Sequence, residues 1–94
     1  MGADEAVEFD YDWDADVLYI SFGPPRPARG EHYDDDIVLR YALDTDDLVG
    51  ITVLGYRRIG GPEGLLHRLS EGSERSKIGC IREHVQELRE LVPA

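Results

Sequence analysis

Residues Phe9 to Phe22 read FDYDWDADVLYISF, and Asp10, Asp12, Asp14 and Asp16 fall at every second position. Carboxylates at that spacing are the raw material of a calcium loop. An EF-hand loop takes oxygen ligands from its first, third and fifth positions, glycine at the sixth and a bidentate Glu at the last. Asp10, Asp12 and Asp14 fill the first three places, but Ala15 stands where glycine is required and Ser21 where the Glu is required. The flanks read as strands instead of helices, which argues against an EF-hand. Two readings remain for Asp12, Asp14 and Asp16. They are a looser cation site, or a turn in which Asp12 or Asp16 accepts bonds from exposed backbone amides. The turn is the simpler of the two.

The other reactive side chains form no set. Asp34, Asp35 and Asp36 are consecutive, and neighbours on an extended chain point to opposite faces. They read as a solvated run. With Asp46 and Asp47 they are the expected acidic interaction surface. Paired carboxylates can do acid–base work, but no nucleophile, oxyanion donor or phosphate loop accompanies these, so no enzyme is expected. Cys80 and His84 are four apart and share a helix face. Zinc needs three or four ligands, and no second Cys or paired His lies near; neither metal nor cofactor is expected. The stretch Gly60 to Gly64 is glycine-rich but lacks the Lys-Ser/Thr of a phosphate loop, and reads as a turn before a helix.

The elements that must position these residues follow from periodicity. Val7 to Tyr11 alternates apolar and acidic, the pattern of a half-buried strand. Val17 to Phe22 is β-branched and aromatic, apolar on both faces apart from Ser21, as a central strand covered on both sides would be. Asp12 to Asp16 joins the two as a hairpin. The prolines at 24, 25 and 27 break the sheet. A short edge strand is expected around Glu31–Tyr33. Ile37 to Leu43 places Ile37, Leu39, Tyr41 and Leu43 on one face. Leu48 to Leu54 places Val49, Ile51 and Val53 on one face. A short helix over 62–71 begins at Pro62. Ile78, Ile81, Val85, Leu88 and Leu91 or Val92 then recur at helical spacing, giving one amphipathic helix over 74–92. Ser73 or Ser76 is its expected cap. Strands first and helices after make the class α+β. The expected fold is an antiparallel meander of four to five strands with the longer helix packed on one face, all within a single domain over 1–94.

Charge narrows the partners. The chain carries a formal −10. Residues 1–56 hold 14 Asp/Glu against three Arg, a balance of −11, and residues 57–94 hold six Glu against seven Lys/Arg, a balance of +1. Nucleic-acid binding needs clustered Lys and Arg, and Arg57-Arg58 is too small a patch, so it is not expected. Arg57-Arg58 is placed instead to pair with the acidic strands. A basic protein is the fitting partner. No apolar run is long enough to span a membrane, and the acidic start has no basic or apolar leader. With the single Cys80, a cytoplasmic protein is expected. A domain this small buries a limited core, and a homodimer is the expected remedy.

Two segments resemble a known pattern. Tyr11-Asp12-Trp13-Asp14-Ala15-Asp16-Val17-Leu18-Tyr19-Ile20 resembles the signature Tyr-Asp-x-x-Ala-Asp-x-Leu-Tyr-Ile of the family called domain of unknown function 2283. Asp44-Thr45-Asp46-Asp47-Leu48-Val49-Gly50-Ile51 is similar to that family's Asp-x-Asp-Gly-x-Val-Gly-Ile. The resemblance covers residues 7–56. Asp47 replaces the usual glycine, which implies a different turn, and Thr52 replaces the usual acid. The resemblance implies no enzymatic activity. It implies a small accessory protein, and for some members a partner of small toxin-like proteins. The chain is therefore expected to be a non-enzymatic interaction or regulatory module with an acidic surface, antitoxin-like in kind. The alternative is a cation- or small-ligand-binding domain using the carboxylates of the Asp12–Asp16 hairpin.

Overall fold

The computed structural model describes residues 7–24, 26–69 and 75–93, with the backbone alone for 75–77. Five strands, β1 (Val7–Asp12), β2 (Val17–Phe22), β3 (Ala28–Asp34), β4 (Ile37–Ala42) and β5 (Leu48–Leu54), precede three helices, α1 (Gly61–Leu69), α2 (Arg75–Glu83) and α3 (Val85–Leu91). The class is α+β, as expected. Of the two expected caps, Ser73 lies outside the described residues, and Ser76 falls inside α2, one residue past its start.

The sheet is wholly antiparallel, but its order is β1-β2-β5-β4-β3, which is not a strict meander. A hairpin, β1–β2, and a three-stranded meander, β3–β4–β5, meet where β2 pairs with β5. The Pro-rich segment after Phe22 therefore crosses from an inner strand to the far edge. That distance is three strand spacings, about 14 Å. The five residues between Phe22 and Ala28 are enough to reach it, at about 3.3 Å per residue. The Leu43 amide donates to the Pro27 carbonyl at 3.0 Å and ties the crossing to the β4–β5 turn. The edge strand expected at Glu31–Tyr33 is longer, Ala28–Asp34, with a register shift between His32 and Asp34.

Cross-strand register decides which side chains share a face. Phe9 pairs with Ile20, Ile20 with Ile51, and Leu39 with Ile51. These residues join Tyr11, Leu18, Phe22, Ile37, Val53 and Tyr56 in one core, which Leu65 and Leu69 of α1, Ile78 and Ile81 of α2, and Leu88 of α3 complete. All three helices thus cover the same face. Tyr19, on the other face of β2, is 43% exposed, so this strand is inner but covered on one side alone. The register also shifts between Arg40 and Tyr41, which pair with Gly50 and Leu48 and leave Val49 as an extra residue. Leu48 enters the core, while Val49 lines a small recess with Glu8, Ser21 and Arg40 on the open side. The alternation expected through Val49, Ile51 and Val53 is broken by that bulge. Leu43 lies past the end of β4 and is exposed.

The single C-terminal helix expected over 74–92 is two helices that meet at His84. The His84 amide bonds back three residues to Ile81, and the ring Nδ1 donates to the Cys80 carbonyl at 2.7 Å. The side chain thereby takes the acceptor that a continuing helix would give to the backbone amide. Its ring also packs against Phe9, centroids 6.0 Å apart. The break turns Leu88 and Val92 onto the core.

Candidate functional site

The Asp-rich segment is a braced hairpin. Asp12 Oδ1 accepts the amides of Asp14 at 3.0 Å and Ala15 at 3.1 Å, so the turn closes on its own side chain. Asp16 takes a left-handed backbone, φ 57°, which Asp tolerates better than most residues. That twist sends its carboxylate away from Asp12. It accepts the Tyr11 hydroxyl, the Arg57 amide at 3.0 Å and the Arg58 amide at 3.4 Å. The Tyr56 amide donates to the Asp16 carbonyl at 3.0 Å. One residue thus latches the first hairpin to the chain leaving β5. Burial alone would push the Asp16 carboxyl up, but the Tyr11 hydroxyl and the two amides outweigh it and hold it below the usual carboxylate range. Burial and the adjacent carboxylate push the Tyr11 phenol up.

Asp12, Asp14 and Asp16 are therefore not brought together as a cation cage. Asp12 serves its own turn, and Asp16 serves the latch. Among the described residues no three His, Cys, Asp or Glu side chains are grouped to hold a metal ion. Cys80 and His84 do meet, but through the Cys80 backbone carbonyl.

The expected acidic surface divides between opposite ends of the sheet. Asp34, Asp35 and Asp36 lie at the β3–β4 turn, and Asp46 and Asp47 lie at the β4–β5 turn, with the length of β4 between them. The first group is largely neutralised. Arg68 reaches Asp34 at 3.3 Å and Asp36 at 3.0 Å, and Arg58 reaches Asp36 at 2.7 Å. Those hydrogen bonds, from Arg58 first and then Arg68, hold the Asp36 carboxyl below its ordinary value. Only Asp35 of the three is exposed. At the other end Asp46 pairs with Arg29 at 2.5 Å and Asp44 with Arg26 at 3.0 Å. Asp47 accepts the Thr45 hydroxyl at 2.9 Å. The left-handed position of this turn is Asp46, φ 66°, one residue before the glycine substitution that the sequence pointed to.

The tip of the first hairpin is different in kind. Trp13 is 55% exposed, between the exposed carboxylates of Asp12 and Asp14. Its ring stands edge-on to Tyr11, centroids 4.8 Å apart, and Tyr11 in turn packs on Tyr56 at 5.9 Å. A large aromatic is therefore held out in solvent on a rigid stack. Periodicity could not single out Trp13, because it lies in the turn and on no face. A cleft of about 650 Å³ opens at the start of α1, with Tyr56, Pro62 and Val92 in its walls. The Tyr56 hydroxyl is buried with no hydrogen-bond partner among the described residues, and burial pushes the phenol up to about 12. It stays protonated at neutral pH and is no base. At the rim Arg89 pairs with Glu63.

Fold and site together define a class: a small α+β domain in which a Tyr–Asp hairpin signature braces an antiparallel sheet. The chain belongs to the family described as Protein of unknown function (DUF2283), whose model matches residues 8–57. That span holds the five strands, less Val7 at the start of β1, and ends at Arg57, whose amide Asp16 accepts. Comparison with curated proteins and with solved structures finds no match. No helix among the described residues is long and apolar enough to cross a membrane.

Proposed function

We propose that the protein is a non-enzymatic interaction module that offers the tip of its first hairpin to a basic partner protein. The exposure of Trp13 between two acidic side chains carries this reading. Exposed aromatics on rigid supports are the usual anchors of protein interfaces. Flanking carboxylates steer a positively charged partner and fix its orientation. An Arg or Lys from that partner fits the Trp13 face as a cation–π contact. An antitoxin-like role, with a small basic toxin as the partner, is the particular form that the acidic strand half favours. A cation site at Asp12, Asp14 and Asp16 has no observation in its favour, because the Asp12 and Asp16 carboxylates are committed elsewhere.

The test is co-expression with the products of adjacent genes, followed by affinity capture. The expected outcome is a stoichiometric complex with a basic neighbour that weakens from 50 to 500 mM salt. The Trp13→Ala variant should bind at least about tenfold more weakly at unchanged melting temperature. A complex indifferent to both salt and Trp13 would refute the proposal.

A further inference from the structure

Among the described residues nothing covers the face of the sheet opposite the helices, and that face has a charge order of its own. Pairing sets Glu8, Ser21, Gly50, Arg40 and Gly30 in one row across the strands, and Asp10, Tyr19, Thr52, Val38 and His32 in the next. Both rows run from an acid on edge strand β1 to a base on β4 or β3. Between those ends the side chains are small or apolar. Tyr19 is 43% exposed and Leu54 36%. Gly50 gives room for the Arg40 side chain, whose Cδ lies 3.7 Å from where a Cβ would stand. Among the described residues Glu8, Asp10, His32 and Arg40 have no ion-pair partner.

Such a surface is complementary to itself in one orientation. A two-fold axis parallel to the strands keeps each row level and reverses the strand order, so acids of one copy meet bases of the other. An axis along the rows would instead set β1 over β1, acid on acid. Edge-to-edge pairing through β1 brings the same like charges together. We propose that the open face is the interface between two copies of this chain, stacked sheet on sheet about an axis parallel to the strands, with Glu8 of each copy against Arg40 of the other. Antiparallel sheets with one bare face commonly stack at about 10 Å, with side chains interleaved. With Glu8 over Arg40 the four strands from β1 to β4 overlap, a patch of roughly 19 by 20 Å from strand spacing and rise, so two copies bury about 800 Å², the size of a weak, concentration-dependent interface. Each copy is strongly acidic, but at 150 mM salt that repulsion is screened beyond about 8 Å while the close pairs persist. The proposal is independent of the hairpin tip, which uses the end of the sheet and not its face.

Sedimentation equilibrium of the full chain in 150 mM salt, up to about 200 µM, tests it. Wild type is expected to dimerise. Glu8→Arg and Arg40→Glu should each weaken the dimer at least about tenfold, and the double variant should return to within about threefold of wild type. Both positions of that cycle, Glu8 and Arg40, are exposed, and circular dichroism at low concentration verifies the folding of all four proteins. A wild type that stays monomeric at the highest concentration overturns the proposal. So does a dimer insensitive to the single changes, or a double variant no better than the singles. Loss of the Trp13 complex with this cycle intact would sink only the hairpin-tip proposal.

Discussion

Asp16 is the residue on which the first hairpin depends. Its carboxylate receives a hydroxyl and two amides from residues both near and far in the chain. Removing it leaves those donors short of an acceptor and places alanine at a left-handed backbone position, so Asp16→Ala should cost roughly 2 kcal/mol. Denaturant unfolding measures this. The pH dependence has a definite sign. A carboxyl held below its ordinary value in the folded state contributes stability that is present above its unfolded pKa. That contribution is lost as pH falls through the folded pKa. The melting temperature of wild type should therefore drop between about pH 5 and pH 2, and the drop should be shallower in Asp16→Asn. An identical slope in the two proteins would show that Asp16 is not the linked group. Asp36 is held low as well, by Arg58 and Arg68, so the variant removes part of the slope and not all of it.

Elements show where a local pattern is enough and where it is not. Strand positions follow from alternation and from turn residues, because both are local, and Asp12 closing its own turn is local in the same way. Strand order is not local. Nothing in residues 23–27 alone says that the chain crosses over the β4–β5 turn to the far edge; that follows from β2 and β5 finding each other. The latch from Asp16 to Arg57 and Arg58 spans more than forty residues and was invisible for the same reason. The helix break at His84 depends on a side chain competing for a backbone carbonyl, which the apolar period through Ile81, Val85 and Leu88 does not register. Glycines sharpen the contrast. A Cβ on Gly64 would lie 1.8 Å from the Ile59 carbonyl oxygen, so α1 can pack against the preceding turn only with glycine there. Gly64→Ala should cost roughly 3 kcal/mol and lower the melting temperature by about 12 °C or more. Gly79 in α2 has nothing within 4 Å of the same point. Gly79→Ala should stabilise by about 0.5–1 kcal/mol, since only backbone entropy changes. Thermal melts of the pair read both signs in one experiment.

At the scale of the whole molecule, charge is divided along the chain but stitched together in space. The strand half carries −11 and the remainder +1. Among the described residues three ion-pair contacts join them: Arg58 to Asp36, and Arg68 to Asp34 and to Asp36. The Tyr33 hydroxyl adds a bond to the Arg68 carbonyl at 3.0 Å, so the β3 edge is fastened to the end of α1. These ion pairs sit at the surface, where salt weakens them and each is worth little. The formal −10 acts in the opposite sense, because like charges across a small domain repel and salt relieves them. Raising ionic strength from 0.01 to 0.5 M shortens the screening length from about 30 Å to a few ångströms. The repulsion extends over the molecule, with principal-axis extents of 36 × 27 × 25 Å, whereas the ion pairs act at contact, so the repulsion is screened more completely. Salt should therefore raise the melting temperature, by about 3–6 °C for the monomer at micromolar concentration. Sodium chloride and potassium chloride should act alike if the effect is screening, and sulfate should exceed both because it also strengthens apolar burial. A melting temperature that falls with added chloride would mean that the Arg58 and Arg68 clasp outweighs the repulsion. In that case Arg68→Ala should remove the salt dependence.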